Sequence, residues 1–322
     1  MPECSLFKHG ITISPNGGTR PCCAFAMTGV PNIKFNEDWQ TRHTAWHEQS
    51  IDSWVPNCRA CKTDEEAGQK SLRQIYNKEL QYAEGIALWD LKINNTCNLS
   101  CRMCHATSSS VWETIYKENP DLDRYYGDPP PKRWWKESID LLDKMVDAKK
   151  VKFTGGEPFL IPQVRRIVEG LIDRDIAGAV TLQLTTNGTQ NIDSWYPLFA
   201  QFKKVELIVS IDAVGPRFEY IRVGADWNQV SSNVEHIQRT KPDNVYFEVQ
   251  CLPMALNHGY TQEVEQWAKQ LGAFYHTATP LFDPDFLSIK ALTDPELKKR
   301  MVEQLNIQDR IHGTDWREFI NE

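Results

Sequence analysis

The sequence predicts an α/β fold: a partial (β/α)6 barrel of the TIM type, preceded by a small N-terminal cysteine-rich β-hairpin module. Three observations predict it. From residue 86 onward short strands alternate with amphipathic helices, a pattern that implies a parallel sheet. There are six such strands, which suit an open or partial barrel better than a closed eightfold one. Along at least four of them every second residue is polar, whereas parallel strands covered on both faces are usually near-continuous apolar runs.

The first 75 residues read differently. Ile11-Thr12-Ile13-Ser14 is a strand, Pro15-Asn16-Gly17-Gly18 a tight turn, and Thr19 to Phe25 the returning strand of a hairpin. Residues 41–54 read as a short helix, followed by Pro56-Asn57-Cys58-Arg59-Ala60-Cys61. Residues 64–84 are helix-like and charged and connect this segment to the barrel. The barrel strands are 86–93, 151–154, 180–186, 205–211, 245–251 and 273–279. The helices between them centre on 107–117, 137–147, 162–174, 193–202, 227–239 and 260–271. An irregular insertion, 119–135, carries Pro129-Pro130-Pro131, and the tail from Asp294 is helical and charged, packing on the barrel or closing its mouth. The expected divisions are 1–85, 86–285 and 286–322.

The polar alternation carries a functional message. Asp90, Lys92 and Asn94 alternate with Trp89, Leu91 and Ile93; Gln183 and Thr185 with Leu182 and Leu184. Glu206, Ser210 and Asp212 alternate with Val205, Val209 and Ile211, and Glu248 and Gln250 with Phe247 and Val249. A filled core does not tolerate such a face without complete pairing. A hollow interior that holds a polar ligand does, and so does an open sheet with one solvated face.

Cysteine spacing is the strongest signal. Cys97, Cys101 and Cys104 form C-x3-C-x2-C directly after the first barrel strand. Three thiolates this close can converge on one soft metal centre. They leave a position open, because iron–sulfur clusters normally take four thiolates; a three-ligand zinc site has the same vacancy. The loop sits at the strand's C-terminal end, the functional end of such folds. The next strand ends in Gly155-Gly156-Glu157-Pro158. There two glycines expose backbone amides to a ligand, and the Glu157 carboxylate suits an ammonium group. Cys4, one of Cys22 and Cys23, Cys58 and Cys61 supply a second, four-thiolate set, either a structural zinc ribbon or an iron–sulfur site. Small loop-rich segments of this kind lean on metal for folding energy. Neighbouring strand residues face opposite ways, so one of Cys22 and Cys23 is the ligand, and Cys22 is preferred. Cys251 ends the fifth strand as a buried small hydrophobe.

With these residues in view, the sequence resembles the radical S-adenosylmethionine (SAM) enzymes over roughly residues 86–285. The resemblance implies that Cys97, Cys101 and Cys104 hold a [4Fe–4S] cluster whose open iron takes the amino and carboxylate groups of SAM. It implies that Gly155, Gly156, Glu157 and Pro158 bind the methionine amino group, and that Thr186 and Asn187 end the third strand beside the cofactor. Ser210 and Arg222 would hold its ribose or carboxylate. Met103 stands where an aromatic residue is common and would still cover the cofactor. The N-terminal segment resembles the twitch and SPASM auxiliary-cluster modules in Cys4, Gly10, Ile13, Gly17, Pro21-Cys22, Trp54 and Cys58-x2-Cys61. Its four or five cysteines fit one auxiliary cluster, [4Fe–4S] by this likeness, although such modules usually follow the barrel.

The resemblance implies reductive cleavage of SAM and hydrogen abstraction from a substrate carbon. Electrons would come from a donor such as flavodoxin or ferredoxin. The net reaction would be an oxidation or bond formation assisted by the auxiliary cluster, an oxidoreductase in class. Asp90, Glu206, Asp212 and Glu248 are candidates for the base that such an oxidation needs. A peptide or protein is the first expectation for the substrate, a small or nucleotide-derived molecule the second. A structural or regulatory iron–sulfur or zinc protein is the non-enzyme alternative. The 322 residues, 41% hydrophobic, provide a full-size core. The net charge of −7 offers no dominant basic field for a nucleic acid. No basic-then-apolar leader and no apolar run near the ~18–20 residues of a membrane span is visible, so the reading is a cytoplasmic protein.

Overall fold

The structure is a computed structural model that describes residues 2–27, 29–31, 33–35, 37–122 and 141–320. Eight strands form one sheet: β1 (Gly10–Ile13), β2 (Thr19–Arg20), β3 (Leu88–Leu91), β4 (Lys150–Phe153), β5 (Thr181–Thr186), β6 (Lys204–Ser210), β7 (Val245–Cys251) and β8 (Phe274–Thr277). The spatial order is β2-β1-β3-β4-β5-β6-β7-β8. From β3 to β8 every neighbouring pair is parallel, and all six predicted barrel strands are present. The sheet ends at β2 and β8, which do not pair with each other, so it is a partial barrel.

The N-terminal hairpin is present and is joined to the barrel sheet. β1 and β2 pair antiparallel, but β1 also pairs in parallel with β3, Thr12 opposite Asp90. The hairpin therefore extends the barrel sheet. Its second strand stops at Arg20 instead of reaching Phe25, because Pro21 has no N–H for the ladder. Cys22 and Cys23 lie in a turn, so strand alternation does not decide between them. The segment also has a small core of its own, with Leu6, Phe7, Phe25, Val55, Tyr76 and Leu80 packed against Leu88 of β3. Metal is thus not its sole source of cohesion.

The helices keep close to their expected places. Helix α1 (Leu6–His9) is a single turn, and α2 (Trp39–Asp52) is capped by Asp38, which accepts from Thr41 N. The connector breaks into α3 (Arg59–Glu66) and α4 (Leu72–Glu79). Gly68 at φ +70° ends the first, and a Ser71–Gln74 capping box starts the second. Helices α5 (Ser110–Glu118), α6 (Pro162–Asp173), α7 (Tyr196–Phe199), α8 (Gly215–Ile221), α9 (Trp227–Thr240) and α10 (Thr261–Gln270) follow. Helix α8 was not anticipated. Of the 119–135 insertion only 119–122 lie among the described residues; of the expected 137–147 helix, 141–147 are described, and there the chain makes a single 3-10 turn, Leu142–Lys144, in place of an α-helix.

The expected two-faced strands are observed. On β5, β6 and β7 buried apolar residues alternate with half-buried or exposed ones. Val205, Leu207, Val209, Leu182 and Leu184 are fully buried against the helices. On the inner face Glu206 pairs with Lys150 at 2.7 Å and Lys204 at 2.8 Å, and Lys152 lies 3.6 Å from Asp90. Around β4 and β6 the interior floor is thus a set of mutually compensating charges.

The tail forms α11 (Pro295–His312), capped by Asp294 and ended by Gly313 at φ +68°. It is docked by Arg102, a wholly buried side chain from the middle of the cysteine loop. Arg102 donates to Tyr220 O (2.7 Å), Gln308 Oε1 (3.2 Å) and Thr314 Oγ1 (2.6 Å), and pairs with Asp309 at 2.8 Å. Its guanidinium also lies 3.8 Å from the Tyr220 ring centroid. Removing one partner of a buried ion pair costs about 3–5 kcal/mol. Arg102→Met is therefore expected to lower the unfolding free energy by about that amount in urea denaturation; a loss below about 1 kcal/mol would contradict this account.

Candidate active site

The cysteine loop follows β3 and is stitched to α5. Ser110 Oγ accepts from Cys97 N (3.2 Å) and donates to Cys97 O (3.0 Å). Ser109 Oγ donates to Leu99 O, and Trp112 Nε1 to Cys101 O. Two backbone bonds, Ser100 N to Val223 O and Arg102 N to Ile221 O, tie the loop to the end of α8 and the residues just after it. A loop with so few free backbone groups holds its thiols in place.

Cys97, Cys101 and Cys104 line one cleft of about 250 Å³ at the C-terminal ends of β3 to β6. Met103, Gly155, Gly156, Thr186, Asn187, Ser210 and Arg222 line it with them, as do Leu99, His105, Ser108 and Thr185, which sequence reasoning did not select. Thr185 could have been found from its place on the polar face of β5, and Ser108 from its position just after the loop. Gly156 is required by close approach: its φ is +59°, and a Cβ would fall 2.5 Å from Thr96 O.

Glu157 and Pro158 stand behind this wall. The Glu157 carboxylate is fully buried and accepts from Thr186 Oγ1 (2.7 Å), Asn187 N (2.7 Å) and Phe159 N (3.4 Å). It fastens the end of β5 to the Gly-Gly turn. Pro158 is the first residue of a 3-10 turn. Asn187 carries the connection forward: its Nδ2 donates to Asn98 Oδ1 at 2.9 Å and lies 3.9 Å from Cys97 Sγ. Arg222 Nη1 is 3.9 Å from Cys101 Sγ, and Arg222 pairs with Asp212 at 2.7 Å. N–H groups aimed at cluster sulfurs are a known means of tuning a metal group.

The base candidates do not gather here. Asp212 is buried and held by Arg222 and by Leu252 N (3.0 Å). Asp90 accepts from Thr154 Oγ1 and faces Lys152, and Glu206 is held between two lysines. Glu248 has no ion-pair partner among the described residues. It lies half-buried on the inner face of β7, where burial raises its pKa and the His276 charge opposes the shift.

The second cysteine set also converges. Cys4, Cys22, Cys58 and Cys61 line one pocket with Leu6, Phe7, Phe25 and Val55, while Cys23 is exposed. The space left among them is about 20 Å³, room for one water-sized sphere. The nuclearity of a metal group there would depend on how far the thiols separate. Burial pushes Cys4 up to about 11 and Cys58 up to about 12. In the triplet, burial raises all three thiols, Cys104 to about 12, with the Cys97 charge adding to it. Thiolates in such places call for a cationic partner. Among the described residues, no three Cys, His, Asp or Glu side chains are gathered closely enough for a single ion.

A parallel partial barrel with a three-thiol loop at the C-terminal end of its first parallel-run strand defines a cofactor-dependent α/β enzyme. The chain belongs to the radical SAM superfamily, whose profile matches residues 91–269. Among curated relatives, a probable GTP 3′,8-cyclase from Methanococcus maripaludis is 22% identical over 72% of this chain and 68% of its own length. A GTP 3′,8-cyclase from Bradyrhizobium diazoefficiens is 24% identical over 55% of this chain and 54% of its own. Among solved structures, Streptococcus suis SuiB bound to its precursor peptide SuiA matches with a TM-score of 0.41 and 12% identity, over 96% of this chain and 71% of that one. Membership implies a [4Fe–4S] cluster, SAM, an electron donor and a substrate. The residues fit the cofactors: three thiols and an open backbone cradle share one cleft. Among the described residues, no helix is long and apolar enough to cross a membrane.

Glu157 has a measurable signature. Burial raises it from 4.5 to about 7, against the three bonds that lower it. A raised carboxyl stabilises the fold below its unfolded pKa, and that contribution is lost as pH climbs through the folded value. Metal-free protein should lose roughly 3 kcal/mol of stability between about pH 4.5 and 7, at about 1.4 kcal/mol per pKa unit. Urea titrations should show Glu157→Gln flattening this slope; an unchanged slope would place its origin elsewhere.

Proposed function

We propose that the chain is a radical SAM oxidoreductase that oxidises, or forms a bond within, a small polar substrate, assisted by an auxiliary iron–sulfur group at Cys4, Cys22, Cys58 and Cys61. The observation that carries this reading is the single cleft shared by Cys97, Cys101 and Cys104 with Gly155, Gly156, Ser210 and Arg222. When bound, the cluster and SAM supply reductive cleavage of the cofactor and a hydrogen-abstracting radical.

The rest falls to the chain. Gly155 and Gly156 let the methionine end approach the backbone, and Ser210 and Arg222 hold polar groups of the cofactor. Met103 covers it. Glu157 and Asp212 act as positioning residues, one for Asn187 and the other for Arg222. Glu248 is the proposed base: it is the carboxylate of the set without a fixed cation, and a raised pKa brings a carboxylate nearer to working pH. A small substrate is favoured by the polar inner face and by curated relatives named for an activity on GTP. The peptide reading has its own support. β8 is an open sheet edge with Phe274 exposed, a surface that can accept an added strand.

Anaerobic reconstitution tests this reading. The protein should take up about eight iron atoms per chain if both sets hold four-iron clusters, and release 5′-deoxyadenosine under strong reduction. Substituting Cys97, Cys101 and Cys104 with alanine should abolish that release, and Cys58→Ala with Cys61→Ala should halve the iron. About four iron atoms in the unsubstituted protein would remove the auxiliary iron–sulfur group. No cofactor cleavage by protein with a verified cluster would sink the enzyme reading.

A further inference from the structure

A second cleft, also about 250 Å³, adjoins the first and shares His105 and Ser108 with it. Its far wall is the N-terminal hairpin, through Asn16 and Arg20, and Lys92 lies in its floor. The two cations come together through the register. Arg20 is opposite Thr12, and Thr12 is opposite Asp90, two residues before Lys92. The Lys92 stem continues toward the cofactor cleft, since a Cβ on Gly155 would sit 3.5 Å from Lys92 Cδ.

Neither cation has an ion-pair partner among the described residues. Every other lysine on this inner face, Lys150, Lys152 and Lys204, has a carboxylate within 4.0 Å. Arg20 and Lys92 have no ion pair and no side-chain hydrogen bond among the described residues, and Arg20 Nε is buried without a partner. Lys92 is held below its ordinary range, first by burial and then by the Arg20 charge, against the opposing charges of Asp90, Cys23 and Cys104. Buried donors and like charges kept together without an anion are costly unless a ligand completes them. Arginine and lysine converging on a polar cavity suit an oxyanion, with charge-assisted bonds from both.

We propose that Arg20 and Lys92 form a binding site for an oxyanion of the substrate, a phosphate or carboxylate, beside the cofactor cleft. This deepens the reading of the chain as a radical SAM enzyme and rests on it. The substrate would then lie across the two clefts, its anion on the hairpin side and its reacting carbon toward the thiol triplet. A carboxylate could also come from SAM itself, so the test must separate the two sources.

The test is calorimetric titration of inorganic pyrophosphate into reconstituted full-length protein, with and without saturating SAM. Expected is saturable binding that persists with SAM present. It should weaken at least about tenfold in Arg20→Gln and in Lys92→Met, the loss expected for one charge-assisted contact, and less in Arg20→Lys. The substitutions remove uncompensated charge, so the thermal midpoint should hold or rise; a marked fall in both would mark the cations as structural and overturn the site. No saturable binding, or equal binding by the variants, would also overturn it. Competition between SAM and pyrophosphate would assign the site to the cofactor's carboxylate and sink the substrate assignment. SAM binding, titrated separately, tests the underlying reading. Protein that takes pyrophosphate but not SAM would reject the radical SAM reading of the site alone, and the reverse would reject the anion site alone.

Discussion

The buried contact between Arg102 and Asp309 is the constraint on which the active-site architecture depends. Arg102 stands inside the cysteine triplet, and its guanidinium turns away from the cleft toward α11. With Trp112 and Ser109 on the other side, it pins a loop that must keep three thiols converged before any metal arrives. A charge buried this deeply survives only with several partners, and here they come from Tyr220 in α8, from Gln308 and Asp309 of the C-terminal helix, and from Thr314 just beyond it. The tail is thus part of the framework under the loop rather than a cover for the barrel mouth.

A second theme is how the fold divides charges into compensated and uncompensated sets. Glu206 with Lys150 and Lys204, Asp90 near Lys152, and Asp212 with Arg222 are paired. These pairs let a parallel sheet keep a polar inner face, which an apolar filling would otherwise have to replace. Among the described residues, the groups of this face without an ion pair are Arg20 and Lys92, beside one cleft, and Glu248, on the inner face of β7. In an interior where other charges have been matched, unmatched ones mark where a ligand's charge belongs.

The hairpin links the two cysteine sets. Because β1 joins β3 in parallel, the N-terminal segment is continuous with the barrel edge. Cys4, Cys22, Cys58 and Cys61 line one pocket, and Arg20 of β2 lines another. The short second strand thus holds a candidate substrate contact in Arg20, and two residues further on the chain supplies Cys22 to the candidate auxiliary site.

What the sequence by itself determined was local and periodic. Cys97, Cys101 and Cys104 lie within one loop, Gly155 to Pro158 within one turn, and the two-residue period of the strands needs only neighbours to be read. The six barrel strands and the family were legible for that reason. Only the tertiary structure decided the contacts between distant segments. It placed the Glu157 carboxylate against Thr186 and Asn187 and gave Asp212 to Arg222. It separated Cys22 from Cys23 by burial and brought Arg20 to Lys92. The physical reason is that spacing shows which side chains share a face of one element. Which charge is neutralised, and by what, depends on elements that meet only when the chain closes its sheet.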